Sequence, residues 1–288
     1  MRYTLLSGAG NLFAVIDGFA EPPPSDPAAL AIQICAGKER GGIEPKPDGL
    51  LLALRPTRGG DCAMVLYNAD GSRPETCGNG LRCIAKLVVD RGHVSRERFV
   101  IESDAGPCAA TVERGARGVE RARIHMGRPR ITARGVELDV DEARPTKRVS
   151  ATLVDVGNPH CVLFVDDERS APVTTLGPRL EHHVRFPAGT NVEFLALRDG
   201  GAFLRVWERG VGETQACGSG ACAAALAAVD AGRASWPVRL VLPGGVLEVA
   251  SDGAGGVLLS GPVEELAQGE WSPSRAGAER ARVRPDGR

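Results

Sequence analysis

One short turn, written twice, constrains this chain more than anything else in it. Cys77-Gly-Asn-Gly80 and Cys217-Gly-Ser-Gly220 each place a cysteine at the mouth of a Gly-rich turn. A helix-like run follows each copy, Ile84–Asp90 after the first and Ala221–Ala231 after the second. The first backbone N–H groups of a helix lack intrahelical partners, and the local dipole favours negative charge. A thiol placed there is pushed towards thiolate, and a carboxylate can dock on the same amides. A single cysteine beside a loop reads more readily as core packing. The doublet points instead to an internal repeat, two halves that each wrap strands around one principal helix.

The rest of the chain follows that grammar. In the first half, Tyr3–Leu6, Phe13–Asp17, Leu50–Leu54, Cys62–Tyr67, Phe99–Glu102, Cys108–Val112 and Arg121–Met126 read as strands. Asp26 is placed to cap a helix running to about Ala36, and Gly92 to stop the central one. Gly127 to Arg148 is polar and Pro-containing, as expected of a crossing between halves or a peripheral excursion. Strands return at Ala151–Val156, Cys161–Val165, Val192–Leu197, Phe203–Trp207, Val238–Leu242, Val246–Val249 and Val257–Leu259, with a helix over Thr175–Glu181. The Arg-rich tail from Ser272 reads as disordered.

Composition excludes several classes. The 288 residues carry 35 Lys+Arg against 36 Asp+Glu, which leaves no basic excess to displace counterions from nucleic acid. Aromatics at 4% also argue against a base-stacking surface. No apolar run approaches the roughly 18–20 residues of a membrane span, and the first residues lack a signal-peptide core. The expectation is a cytoplasmic protein with no membrane or nucleic-acid partner. Its eight cysteines are then reduced thiols, and with no Cys-x-x-Cys pair a zinc site is not expected.

If the halves pack by approximate two-fold symmetry, the two helix mouths face each other across a cleft. Two thiols would flank one small molecule held by two sets of backbone amides, at the kind of interface where pockets form. Two opposed acid/base groups of one kind suit the transfer of a proton from one face of a carbon to the other. One thiolate takes the α-proton while the opposite thiol delivers another. Helix N-terminal amides can hold the growing negative charge of the carboxylate without a cofactor.

The residues around the two turns resemble the diaminopimelate epimerase family. Gly10-Asn11-Leu-Phe matches its N-terminal motif. Asn68-Ala-Asp-Gly-Ser72 with Cys77-Gly-Asn-Gly-Leu-Arg-Cys83 matches the first thiol motif. Gly157-Asn158-Pro-His160 and Gly189-Thr-Asn191-Val match two substrate loops, and Trp207-Glu208-Arg209 leads into the second thiol motif through Cys217-Gly-Ser219-Gly. The resemblance implies an α/β (α+β) fold of two similar domains related by pseudo-two-fold symmetry. Each would be a mixed, mainly antiparallel sheet around a central helix. The first would span 1–120, completed by 261–271, and the second 121–260.

The resemblance further implies interconversion of LL- and meso-diaminopimelate, without cofactor or metal, by a homodimer. Cys77 and Cys217 would be the acid/base thiols, with the reacting carboxylate on the amides of Gly78, Asn79, Gly218 and Ser219. Asn11, Asn68, Asn158, Asn191 and Arg209 would hold the substrate, Arg209 by a bidentate grip on its distal carboxylate. Glu208 and His160 would stand near the reacting centre. One stretch departs from the family: Gly42-Ile-Glu-Pro-Lys-Pro-Asp48-Gly49 is longer by two residues and carries two prolines, so the loop over the site is expected to differ in shape.

The remaining chemistry-bearing residues have plainer readings. Cys83, Cys222, Cys35, Cys62, Cys108 and Cys161 are expected in the core, His182-His183 on the surface, and Asp166-Asp-Glu168 in a solvated turn. Rival functions are a racemase of the same fold acting on another amino acid such as histidine, and a thiol-redox protein in which Cys77 and Cys217 pair. The second rival leaves the Asn, Glu and Arg residues around the thiols without a role.

Overall fold

The computed structural model describes residues 1–74, 77–140, 148–198 and 200–272. The disorder expected of the tail therefore lies outside the described residues beyond Ser272.

In the first half, β1 (Arg2–Gly8) and β2 (Asn11–Asp17) form a hairpin. Helix α1 (Pro27–Ile34) carries the chain to β3 (Gly49–Leu54), parallel to β2, and β4 (Cys62–Asn68) returns antiparallel. Helix α2 (Gly78–Asp90) crosses to β5 (Arg98–Ser103), parallel to β4. Then β6 (Gly106–Gly115) and β7 (Gly118–His125) close the half as an antiparallel meander. Parallel neighbours cannot be joined by a tight turn, so each parallel pair demands its crossover helix.

The second half repeats this plan. It opens with β8 (Arg130–Asp139), β9 (Arg148–Asp155) and β10 (Pro159–Val165), after which α3 (Val173–Glu181) leads to β11 (Asn191–Arg198), parallel to β10. Next come β12 (Gly201–Glu208), the short β13 (Gly212–Thr214) and α4 (Gly218–Asp230), which crosses to β14 (Val238–Leu242), parallel to β12. Finally β15 (Gly245–Ser251) and β16 (Val257–Pro262) run antiparallel, and β17 (Glu264–Glu270) returns to pair with β1.

Followed through its hydrogen bonds, the sheet is continuous. From β17 it passes through β1 to β7 in sequence, then to β16, β15, β14, β12, β11, β10, β9 and β8. The order is symmetric about the β7–β16 pair, where one half hands over to the other. The expected junction at residues 120/121 falls inside β7.

Each sheet half buries both faces, which follows from the two-residue period of its strands. Leu6 of β1 and Leu51 of β3 pack on α2, while their neighbours Leu5, Leu50 and Leu52 pack under α1. In the second half Leu195 of β11 faces α4, and Val192 and Phe194 face α3. Wrapped on all sides, α2 is buried from Gly78 through Val89. Its Lys86 is accommodated because Nζ donates to Asp90 (2.8 Å) and to the Val119 carbonyl (2.7 Å). The Asp26 side chain accepts from the Ala29 N–H, with Pro27 opening α1 as the sequence suggests. Among the described residues, no helix is long and apolar enough to cross a membrane.

Among the described residues, the polar stretch after Gly127 forms the outer strand β8, hydrogen-bonded to β9, as the peripheral alternative has it. Two local expectations change. Glu168 is buried rather than solvated, and Arg198 pairs with it at 2.9 Å. Cys108 lies at the fringe of the core, half-buried.

Glu102 shows how one side chain holds a loop. Its carboxylate accepts from the backbone N–H groups of Thr57 (2.9 Å), Arg58 and Gly60 (2.9 Å). These bonds, the one from Thr57 first, hold its carboxyl down at about 2. A depressed carboxyl stabilises the fold above its unfolded value, and that contribution is lost as pH falls through the folded one. Acid unfolding of Glu102→Gln, followed by circular dichroism, is therefore expected to be shallower than wild type between about pH 4.5 and 2, with lower stability at neutral pH. Parallel acid limbs would show that Glu102 does not cap this loop.

Candidate active site

Each cysteine of the doublet begins a helix. Cys77 and Cys217 are both extended (φ −150° and −122°), and each thiol accepts from the N–H three residues on, Gly80 at 3.2 Å and Gly220 at 3.3 Å. They take the position that Ser, Thr, Asp or Asn usually fills. The next N–H along, from Leu81 and from Ala221, closes on the cysteine carbonyl. The amides of Gly78, Asn79, Gly218 and Ser219 are left at the two helix mouths.

The two mouths touch. A Cβ built on Gly78 would lie 2.8 Å from Leu259 Cδ2, and one on Gly218 would lie 2.8 Å from the same atom. The Gly218 position is also 3.4 Å from the Gly78 Cα. Glycine is required here for close approach, not for unusual backbone angles. One bond crosses the junction: Asn79 Nδ2 donates to the carbonyl of Ala216 at 3.0 Å, just ahead of Cys217.

Above the junction lies a cleft of about 620 Å³. Its walls include Cys77, Gly78, Asn79, Cys217, Gly218 and Ser219, and also Asn11, Asn68, Asn158, Asn191, Glu208 and Arg209. Every site residue expected from sequence is therefore on its wall except one. His160 stands behind the wall, buried, with Nδ1 2.6 Å from Glu193 and Nε2 2.9 Å from Asn158 Oδ1. Both ring nitrogens are engaged by protein, and the ring holds Asn158 in position.

The asparagines differ in what they have left to offer. Asn191 is spent on the frame, accepting from the Arg209 N–H (3.0 Å) and donating to the Pro159 carbonyl (3.0 Å). Asn68 Nδ2 donates to Ser72 Oγ at 2.9 Å, and the Asn11 carbonyl accepts from Asn79 Nδ2. Glu208, at the end of β12, accepts from the Thr214 hydroxyl. Arg209 Nη1 reaches the Ala188 carbonyl at 3.3 Å.

Burial outweighs the helix mouths in setting the thiols. The Cys77 thiol is pushed up to about 11, chiefly by burial, with the Gly80 N–H and the Arg82 charge pulling the other way. Burial also raises Cys217 well above the usual thiol range, and the Glu208 carboxylate adds to it. The same cause raises Glu208 and Glu193. Burial thus opposes the thiolate that the dipole alone would favour, and exceeds what two or three amides return.

Sequence reasoning passed over several residues. Asp48, from the loop of unusual length, lines the cleft and accepts from the Leu12 N–H at 2.8 Å; Lys46 and Pro47 line it too. Glu193 was visible as a lone charge in the apolar run of β11, and Arg82 as a charge on an apolar helix. Among the described residues, no group of three His, Cys, Asp or Glu side chains is gathered to hold a metal ion.

Comparison with known proteins agrees with this geometry. The family model for diaminopimelate epimerase matches residues 3–132 and 152–265. The chain belongs to the diaminopimelate epimerase family. A relative of that name from Desulforudis audaxviator (strain MP104C) is 42% identical over 284 residues, covering 94% of this chain and 99% of the relative. Another from Moorella thermoacetica (strain ATCC 39073 / JCM 9320) is 38% identical over 281 residues, covering 94% and 99%. Among solved structures, a hydroxyproline epimerase from Agrobacterium vitis shares the fold with a TM-score of 0.69 at 14% identity, over 93% of this chain and 90% of that one. The diaminopimelate epimerase family fold, two α/β halves with a cleft between them, is thus this chain's fold.

The shared contact at Leu259 can be tested by mutation. Gly78→Ala or Gly218→Ala alone is expected to cost about 1–3 kcal/mol through overpacking. Leu259→Ala alone should cost about 2–5 kcal/mol through its cavity. Combining Gly78→Ala with Leu259→Ala should cost clearly less than the sum, measured by denaturant unfolding. Strict additivity would mean that the two sites do not meet.

Proposed function

We propose that this protein interconverts LL- and meso-diaminopimelate by a two-thiol transfer of the α-proton, with Cys77 and Cys217 as the acid/base pair. The observation that carries the reading is the pair of cysteine-capped helices meeting at one cleft. The chemistry follows from that arrangement. The reacting carboxylate takes the amides of Gly78, Asn79, Gly218 and Ser219, which stabilise the charge that grows on it as the α-carbon becomes planar. Glu208 is placed to accept from the substrate amine. That ammonium brings positive charge to a site where burial raises both thiols, and so eases transfer of one thiol proton to solvent as the substrate enters, leaving one thiolate and one thiol. The thiolate so formed takes the α-proton while the opposite thiol gives its own to the other face. The enzyme ends with the two thiols exchanged in protonation state.

The far end of the substrate falls to Asn11, Asn68, Asn158 and Arg209, with Asn191 fixing the Arg209 backbone. A cleft of this size with polar groups at its distal wall supports a substrate with an amino-acid group at each end. The two halves act as domains, 1–120 with 261–271 and 121–260. The family resemblance supports a cytoplasmic homodimer as the working form, supplying lysine and cell-wall precursor synthesis.

Incubation of the reduced protein with LL-diaminopimelate in D₂O tests the reading. NMR should show α-deuterium incorporation and meso product with wild type. Rates are expected to fall by roughly 10²–10⁴-fold in Cys77→Ala and in Cys217→Ala. No exchange with wild type, or full exchange in Cys77→Ala, would remove the proposal; faster exchange on histidine would replace the substrate and keep the chemistry.

A further inference from the structure

One buried charge is left unused by that mechanism. Arg82, on α2, has a relative exposure of 0%. Its Nη2 donates to Asn79 Oδ1 (2.9 Å), its Nη1 reaches the Gly78 carbonyl (3.4 Å), and its Nε has no partner. Among the described residues no carboxylate pairs with it. A buried cation without a counter-charge is expensive to keep, and apolar replacement of such groups often leaves the fold as stable or more so. The fold nevertheless makes room for it: a Cβ on Gly261 of β16 would come 3.1 Å from Nε. The same step along α4 from Cys217 reaches Cys222, so the symmetric half carries no such charge.

Arg82 also decides what Asn79 does. A guanidinium has donors only, so it fixes the Asn79 carbonyl oxygen towards itself. The amide NH₂ is thereby turned to Asn11 Oδ1 and to the Ala216 carbonyl beside Cys217. The Ala216 carbonyl, which can only accept, holds the NH₂ side of that amide, and the guanidinium, which can only donate, holds its oxygen.

We propose that Arg82 is the fixed cation of the site, a positioning residue that locks the α2 mouth to the α4 mouth through Asn79. Its charge favours anions on the cleft floor. These are the Cys77 thiolate and, resting on the function proposed above, the substrate carboxylate. The other titratable groups that face Cys77 and Arg82 are Cys83 on α2, Cys222 on α4, Arg121 on β7 and Glu208 at the end of β12. Glu208 opposes Arg82 in its effect on Cys77, and the pull of Arg82 on that thiol is downward.

Arg82→Met and Arg82→Lys in the full-length reduced protein separate charge from packing. The main readout is iodoacetamide modification of the Cys77 peptide, followed by mass spectrometry between about pH 7 and 11. Thermal unfolding and diaminopimelate exchange kinetics accompany it. Arg82→Met is expected to keep or raise Tm, to slow Cys77 modification at a given pH by roughly tenfold, and to lower kcat more than it raises KM. Arg82→Lys should hold the Cys77 pH profile close to wild type. An unchanged Cys77 profile in Arg82→Met, or a profile in Arg82→Lys displaced as far as in Arg82→Met, overturns the proposal. If Arg82→Met does not fold, Arg82→Lys decides: a wild-type profile supports the cation, an upward displacement removes it. Modification needs no substrate, so its failure counts against Arg82 alone. Failure of the wild type to exchange diaminopimelate counts against the function.

Discussion

Everything in this structure depends on two helix mouths meeting at a pair of glycines, Gly78 and Gly218. Gly78 and Gly218 are both pressed onto Leu259, and any larger residue at either position would collide with that side chain. The contact brings two helix N-termini, with their dipoles, to one place on the cleft wall. The two cysteines cap those same helices.

The symmetry of the frame is not carried into the chemistry. Leu51 packs beside Gly80 behind Cys77, whereas Glu193 occupies the matching place beside Gly220 behind Cys217. Asn68 ends β4 where Glu208 ends β12, and Arg82 lies on α2 where Cys222 lies on α4. Cation and hydrocarbon support one thiol; the buried His160–Glu193 pair and Glu208 surround the other. A two-fold scaffold thus presents two thiols of the same kind in different electrostatic settings. That suits a reaction whose two directions start from different stereoisomers.

Much of this was legible in the chain itself. The repeat of Cys-Gly-x-Gly before a helix revealed the duplication, because a cap, a close-approach glycine and an apolar run are local signals. Most strands were readable from their two-residue period, and Asp26 and Pro27 announced α1. The stretch after Gly127 was not legible as a strand, because the apolar alternation of β8 (Ile131, Ala133, then Val136, Leu138) is broken where its register against β9 shifts. The motif also places His160 beside Asn158, but cannot say which side of the wall its ring occupies.

By itself, then, the sequence determined the two halves, the paired thiols at helix starts and the family of residues around them, all set by contacts within a few positions along the chain. Only the tertiary structure decided what those residues experience. The upward shift of the thiols comes chiefly from burial, a property of atoms contributed by the surrounding fold. The tie from Asn79 to Ala216, the withdrawal of His160 onto Glu193 and the unpaired charge of Arg82 are likewise long-range facts. Desolvation and pairing depend on what packs around a group, and no local pattern records that. The doubled turn named the chemistry; the packing around it set the charges that the chemistry must use.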